Sequence, residues 1–272
     1  MGSHSVINSG NMFVSELCAT LADRIQVPVS AWVCYGSYAI GQQSRGSDVD
    51  LLCIHENENI VPRRVQEQFR GVPVTVYLLS RRDLERDGQE SRFGGYFSGK
   101  LLNPHFVYCS DERTRRIIDS SSGAFIGSFA ASEGRIRRRD PVSSSRQIAA
   151  DCYLAAYRLC PPYLAYFARW VASDGFKGIW SWMEEHVVHS LELAGKLRRV
   201  SGGFIYLKTE SEEMVHERCV AAIARFWAFG AWSHGDAGFY DQYVTHADQR
   251  NAPIPGSKRA AYAFLAEVAM ED

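Results

Sequence analysis

No apolar run in this 272-residue sequence approaches the ~20 residues needed to cross a bilayer, and the N-terminus lacks the basic region and apolar block of a signal peptide. The expectation is a cytoplasmic protein with no membrane contact. An excess of one charge sign is missing too. The 30 Lys and Arg against 31 Asp and Glu leave a net charge of −1, so bulk charge does not draw the chain to nucleic acid. The seven cysteines (Cys18, Cys34, Cys53, Cys109, Cys152, Cys160, Cys219) are odd in number, scattered and mostly set in apolar runs. They show no Cys-x-x-Cys or Cys/His metal spacing and read as reduced core thiols. With 46% hydrophobic and 22% charged residues, the composition leaves ample core and argues against disorder. The length suits one large domain or two ordinary ones, and two is the reading adopted.

What is present is concentrated in Tyr35 to Ile54, YGSYAIGQQSRGSDVDLLCI. An apolar run, Val29 to Cys34, leads into Gly36 and Ser37. A polar connection follows, and then Asp48 and Asp50 enter a second apolar run, Leu51 to Ile54. Strand side chains alternate sides, so Asp48 and Asp50 share a face while Val49 points to the core. Two carboxylates on one face suit a divalent cation that also gathers substrate phosphates. Gly36 lets the backbone approach a phosphate and the Ser37 hydroxyl can donate to it. A short helix over Tyr38 to Gly41 would aim its amides at the anion. Alone, a Gly-Ser pair is usually a turn and an acidic pair a solvated strand end.

Taken together, Gly36, Ser37, Ser47, Asp48, Asp50 and Leu51 resemble, residue by residue, the signature of the DNA polymerase β-like nucleotidyltransferases. The resemblance covers about the first 110 residues, and the motif is specific though short. It implies a mixed α+β (α/β) nucleotidyltransferase domain with a small mixed sheet, followed by an α-helical bundle domain. The layout is similar to that of antibiotic nucleotidyltransferases of the aminoglycoside-adenylylating kind. It further implies Mg²⁺ or Mn²⁺ held by Asp48 and Asp50 as metal ligands and catalytic residues, with Gly36, Ser37 and Ser47 on the nucleotide. The implied reaction is transfer of an NMP from an NTP, with ATP the expected donor, to a hydroxyl of a small-molecule acceptor, releasing pyrophosphate. Transfer to RNA or protein, as in toxin-like relatives, and a non-catalytic nucleotide-binding module are the alternatives. In the family a third strand usually adds a third carboxylate. Here Val72 to Leu79 reads as that strand, with Pro73, Thr75 and Tyr77 on one side. The matching position is Thr75, or less readily Pro73, so the general base and the number of metals stay open.

The remaining chain supplies candidates of lesser weight. Asn11 to Ile25 carries apolar residues at helical spacing and reads as a covering helix closed by Val27-Pro28. Arg45 either reaches a phosphate or is solvated. Ile60 to Phe69, with Pro62 at its start, reads as a surface helix. Ser80 with Asp83 reads as a helix cap. In the glycine- and aromatic-rich Arg92 to Tyr108, Lys100 either neutralises a phosphate or is a surface lysine. The Ser, Gly, Ala and Arg composition of 121–146 reads as a linker between a domain at 1–120 and a helical one at 147–272. Within it the run Arg135 to Asp140 is either solvated or grips RNA. Helices are expected at Gln147 to Arg158, Tyr163 to Val171, Ile179 to Arg199, Thr209 to Phe229 and Lys258 to Val268. His186 and His189 have a spacing that can bind metal, with a structural role favoured for want of a third ligand. The loop Val200 to Lys208 presents Tyr206 and Lys208 as candidate nucleotide contacts. Acceptor identity and oligomeric state are not legible.

Overall fold

Short apolar runs bounded by turn residues build the first part of the molecule. The computed structural model describes residues 8–43, 46–109, 111–137, 141–159, 167, 171, 176–207, 210–234 and 256–270. Helix α1 (Asn8–Ile25) is followed by β1 (Val29–Tyr35), β2 (Val49–His55), β3 (Arg63–Phe69), β4 (Val72–Ser80) and α2 (Arg81–Glu90). Next come a 3-10 turn (Ser98–Leu102), β5 (Phe106–Cys109), α3 (Glu112–Arg137), α4 (Ser145–Leu159) and α5 (Phe176–Leu193). A hairpin of β6 (Leu197–Val200) and β7 (Gly203–Tyr206) precedes α6 (Glu212–His234) and α7 (Gly256–Ala269). The chain forms two compact units, one of Met1–Arg86 with Asn103–Asp119, the other of Asp87–Leu102 with Ser120–Asp272.

In the first unit the strand order is β3-β4-β2-β1-β5, a mixed sheet in which only the β2–β4 pair is parallel. Alternation assigns its faces. Trp32 and Cys34 of β1, Val49, Leu51 and Cys53 of β2, and Val74, Val76 and Leu78 of β4 form one core with Val14, Leu17, Cys18 and Leu21 of α1. Each fully buried aliphatic side chain there contributes about 1.5–3 kcal/mol. Burial pushes the Cys18 and Cys53 thiols up to about 12, and the six cysteines among the described residues are free. The intervening residues (Tyr35, Asp50, Thr75, Tyr77) necessarily point to the other face.

Four expectations are corrected. Residues Ile60 to Phe69 hold β3, not a helix. Its partner β4 follows through Arg70 and Gly71 at φ 50° and 80°, the paired positive angles of a two-residue turn whose twist suits a hairpin. Tyr38 to Gly41 is a run of turns, closed by Ala39 N–H to Gly36 O at 3.2 Å and Gln42 N–H to Ser37 O at 2.9 Å, so no helix dipole starts there. The stretch read as a linker is helical through Arg137. Its small residues permit a close crossing: a Cβ on Gly123 would lie 2.3 Å from the Ser190 carbonyl oxygen of α5. There the Ser190 hydroxyl accepts the Gly123 N–H at 2.8 Å and shares a hydrogen bond with Ser122 at 2.9 Å. Finally, Leu197–Val200 is strand rather than helix, and Val200 to Lys208 is largely the other half of that hairpin. Ser143 is bridged to Phe204 by paired backbone bonds of 2.8 and 2.9 Å. The expected helix Tyr163 to Val171 lies outside the described residues except for 167 and 171.

The second unit is mainly helical, with α4 packed on α5 and α7. Its loop 91–98 is tied down by one side chain. The buried Asp87 carboxylate accepts four backbone N–H groups, from Phe93 and Gly95 on Oδ1 and from Phe97 and Ser98 on Oδ2, at 2.8 to 3.0 Å.

Candidate functional site

Four segments meet on the sheet face opposite α1. From β1 the chain leaves through Gly36, whose φ of 77° is in the left-handed region. A Cβ on Gly36 would stand 2.8 Å from Oδ2 of Asp50. Glycine is therefore required twice, by the backbone angle and by the carboxylate beside it. From β2 comes Asp50, register partner of Tyr35 on one side and of Thr75 on the other. Asp48 stands just before β2. Thr75 of β4 donates its hydroxyl to Oδ2 of Asp48 at 2.9 Å. One buried threonine thus touches Asp48 and neighbours Asp50, which places both half-buried acids at the same end of the same face.

Ser37 is half-buried directly after Gly36, and Ser47 is half-buried directly before Asp48. Lys100 belongs to the other unit, where its ammonium lies over the Tyr96 ring at 4.5 Å. Arg45 and Lys208 lie outside the described residues, as do Arg138 and Arg139. His186 uses Nε2 on the Leu101 carbonyl at 2.7 Å and stacks on Trp182 at 4.6 Å between ring centroids, so that nitrogen already has a protein partner.

The acids fit a divalent cation of the oxygen-loving kind. Two carboxylates beside a glycine turn can supply part of an octahedral shell, with substrate phosphates and water supplying the rest. Among the described residues no group of three or more His, Cys, Asp or Glu could hold a metal ion. Asp50 also acts across the sheet. After burial and the Cys18 charge, it is the third influence pushing the Cys34 thiol up.

Strand β3, where the sequence pattern suggests a helix, brings two further residues to this face. Gln66 and Arg64 of β3 are the register partners of Thr75 and Tyr77. The available signal was the alternation of Val65 and Phe69 with Arg64, Gln66 and Gln68, followed by Arg-Gly before the next strand.

Comparison with known proteins gives the site its context. Residues 15–118 match the family described as nucleotidyltransferase domain, and these residues contain every element of the sheet and the acid pair. No curated protein matches the chain. Among solved structures, a nucleotidyltransferase-like protein from Exiguobacterium sibiricum 255-15, solved at 1.90 Å, matches at 12% identity. That match covers 94% of this chain and 89% of that one with a TM-score of 0.30, too slight an overlap to carry anything further.

Proposed function

We propose, from the premise that residues 15–118 form a nucleotidyltransferase domain, that the protein transfers a nucleoside monophosphate, AMP from ATP in the first instance, to a hydroxyl of a small acceptor. The observation that carries this reading is the convergence of Asp48, Asp50 and Thr75 on one sheet face beside the Gly36-Ser37 turn. Asp48 and Asp50 would hold Mg²⁺ or Mn²⁺, which when bound neutralises the phosphates and polarises the α-phosphorus. Gly36 keeps that edge open, and Ser37 with the neighbouring amides holds the terminal phosphates. Ser47, just before Asp48, is a further nucleotide contact. Lys100, Arg45 and Lys208 are the cations proposed to offset remaining charge.

In the transfer, the acceptor oxygen forms a bond to the α-phosphorus and the bond from that phosphorus to the α,β-bridging oxygen breaks. Pyrophosphate leaves with the bond electrons. Thr75 cannot take the acceptor proton as a carboxylate would, so that proton goes to a base other than Thr75. A domain boundary near residue 120, and a cytoplasmic setting, belong to the same proposal. No helix among the described residues is long and apolar enough to cross a membrane.

The test is incubation of the full chain with Mg²⁺ and each of ATP, GTP, CTP and UTP, labelled on the α-phosphate, with a panel of small hydroxylated acceptors or with total RNA. Label on a small acceptor with release of pyrophosphate supports the reading. Label on RNA alone replaces the acceptor class. Binding of nucleotide without transfer to anything leaves a nucleotide-binding module.

A further inference from the structure

We propose that Arg64 is an acceptor-binding residue and that the acceptor carries an anionic group, a phosphate or a carboxylate. The inference rests on the nucleotidyl-transfer reading and names the class of molecule that reading leaves open. Its basis is the order of groups across one sheet face. The Gly36-Ser37 turn leaves β1, the acids belong to β2, Thr75 to β4, and Gln66 and Arg64 to the outermost strand β3. The phosphate cradle and Arg64 therefore lie on opposite sides of the acid pair. With about 4.8 Å between neighbouring strands and about 3.3 Å per residue along them, Arg64, two strands across from Asp50 and level with Leu52, stands roughly 12 Å from it between backbones. In-line transfer puts the leaving pyrophosphate and the incoming hydroxyl on opposite sides of the α-phosphorus. With the triphosphate towards β1, the acceptor lies over β4 and β3.

Arg64 is prepared for an anion there. Its side chain is half-buried, and its Nε is buried with no hydrogen-bond partner. Five other arginines of the same unit pair with carboxylates, Arg24 with Glu67, Arg70 with Glu16, Arg81 with Glu56, Arg82 with Glu58 and Arg115 with Asp119. The register neighbour of Arg64 is Tyr77, not an acid. A buried donor left unmade is costly, and a guanidinium presents a planar fork matched to phosphate or carboxylate. Gln66, exposed beside it, adds an adaptable donor and acceptor. Arg64 enters no bond that forms or breaks. It holds the acceptor, and it selects against the polycationic amino sugars that the overall layout first suggests.

The experiment uses the full chain with Mg²⁺ and a saturating α,β-methylene ATP analogue, to which inorganic phosphate or acetate is titrated and binding followed by calorimetry. Transfer of labelled AMP to matched pairs, glycerol against glycerol 3-phosphate and glucose against glucose 6-phosphate, runs in parallel. The expected result is that one anion binds beside the analogue, that Arg64→Gln weakens it roughly tenfold or more, and that Arg64→Lys weakens it less. Analogue affinity should be equal in all three proteins, and transfer should favour the anionic member of each pair through KM. Asp50→Asn should do the converse, losing the analogue while retaining the anion. Anion binding indifferent to Arg64→Gln, loss of the analogue instead of the anion, or equal transfer to neutral and anionic members overturns the assignment while leaving nucleotidyl transfer standing. Failure of the unaltered protein to bind the analogue with Mg²⁺ overturns the transfer reading itself, and this assignment with it.

Discussion

Thr75 donates to Oδ2 of Asp48 at 2.9 Å from the strand position that faces Asp50. Its hydroxyl puts a single neutral hydrogen-bond donor beside the two acids. Restoring an acid with Thr75→Asp should raise Mg²⁺ or Mn²⁺ affinity on the order of tenfold, because three carboxylates in one pocket repel until a cation joins them. For the same reason the metal-free variant should be less stable by about 1–2 kcal/mol. Titration with Mn²⁺ and melting with and without EDTA measure both, and unchanged metal affinity would refute the role given to this position.

Asp50→Asn keeps shape and removes charge. Metal-dependent nucleotide binding should fall by about a hundredfold or more, while the melting temperature stays nearly unchanged because the side chain is only half-buried. Equilibrium binding of a labelled nucleotide with Mg²⁺ and with EDTA checks this. Full binding by the variant would remove Asp50 from the site.

Gly36→Ala places a methyl group 2.8 Å from the Asp50 carboxylate at a φ of 77°. The backbone strain costs about 1–2 kcal/mol, and the carboxylate must move. Metal affinity should therefore drop by more than stability does, read by electron paramagnetic resonance of bound Mn²⁺ beside a urea melt. A loss of stability with metal affinity intact would mean that Asp50 has room to yield.

The sequence makes plain those parts of the site whose pattern is local. Strands β1 and β2 are short continuous apolar runs, β4 alternates apolar residues at its start, α1 carries them at helical period, and the shared face of Asp48, Asp50 and Thr75 follows from side-chain alternation along the strands. Strand β3 is obscured because Arg63 and Glu67 occupy the same face as Val65 and Phe69, so only two apolar residues mark its period. Arg70-Gly71 is also a weaker hairpin signal than Asn-Gly. Hence Arg64 and Gln66 were hidden from a reading of the site. Helix α3 was hidden by the Ser and Gly residues that let it approach α5, since small residues resemble a linker until the helix they contact is known. The four amides gathered by Asp87 are a tertiary arrangement with no sequence period at all.

Glu210 gives the helical unit a dependence on acid. Burial alone would push this carboxyl up, but hydrogen bonds from Arg218 and Ser128 with the charges of Arg218 and Lys196 hold it below the ordinary range. A depressed folded-state pKa means the anion is favoured by folding. Its contribution is therefore complete above the unfolded value, near 4.3, and is lost as pH falls through the lower folded value. Urea midpoints should decline between about pH 5 and pH 3 in the unaltered protein, and Glu210→Gln should flatten that decline while lowering the plateau at neutral pH. An identical slope in the variant would assign the acid sensitivity elsewhere.

The last prediction concerns Asp87, which is fully buried with no counter-ion among the hydrogen bonds it makes. Burial pushes its pKa up, and the amides of Ser98, Phe93, Phe97 and Gly95 oppose that. The loop they anchor is packed without slack. A Cβ on Gly94 would fall 2.1 Å from the Ala222 carbonyl oxygen of α6, and one on Gly95 would fall 2.1 Å from the Phe125 ring of α3. The amides fix the path of the chain, and the path permits the packing. In Asp87→Asn the terminal amide group must face one pair of backbone donors, whichever way it is turned. At least two buried N–H groups then lose their acceptor, at about 1–3 kcal/mol each. The variant should be destabilised by about 3–5 kcal/mol in total, with backbone amide exchange accelerated at residues 93–98. Hydrogen exchange read residue by residue, beside thermal melting, separates this local release from a general loss of packing. Wild-type exchange rates in that segment would show that the contacts of Gly94 and Gly95 hold the loop without the carboxylate.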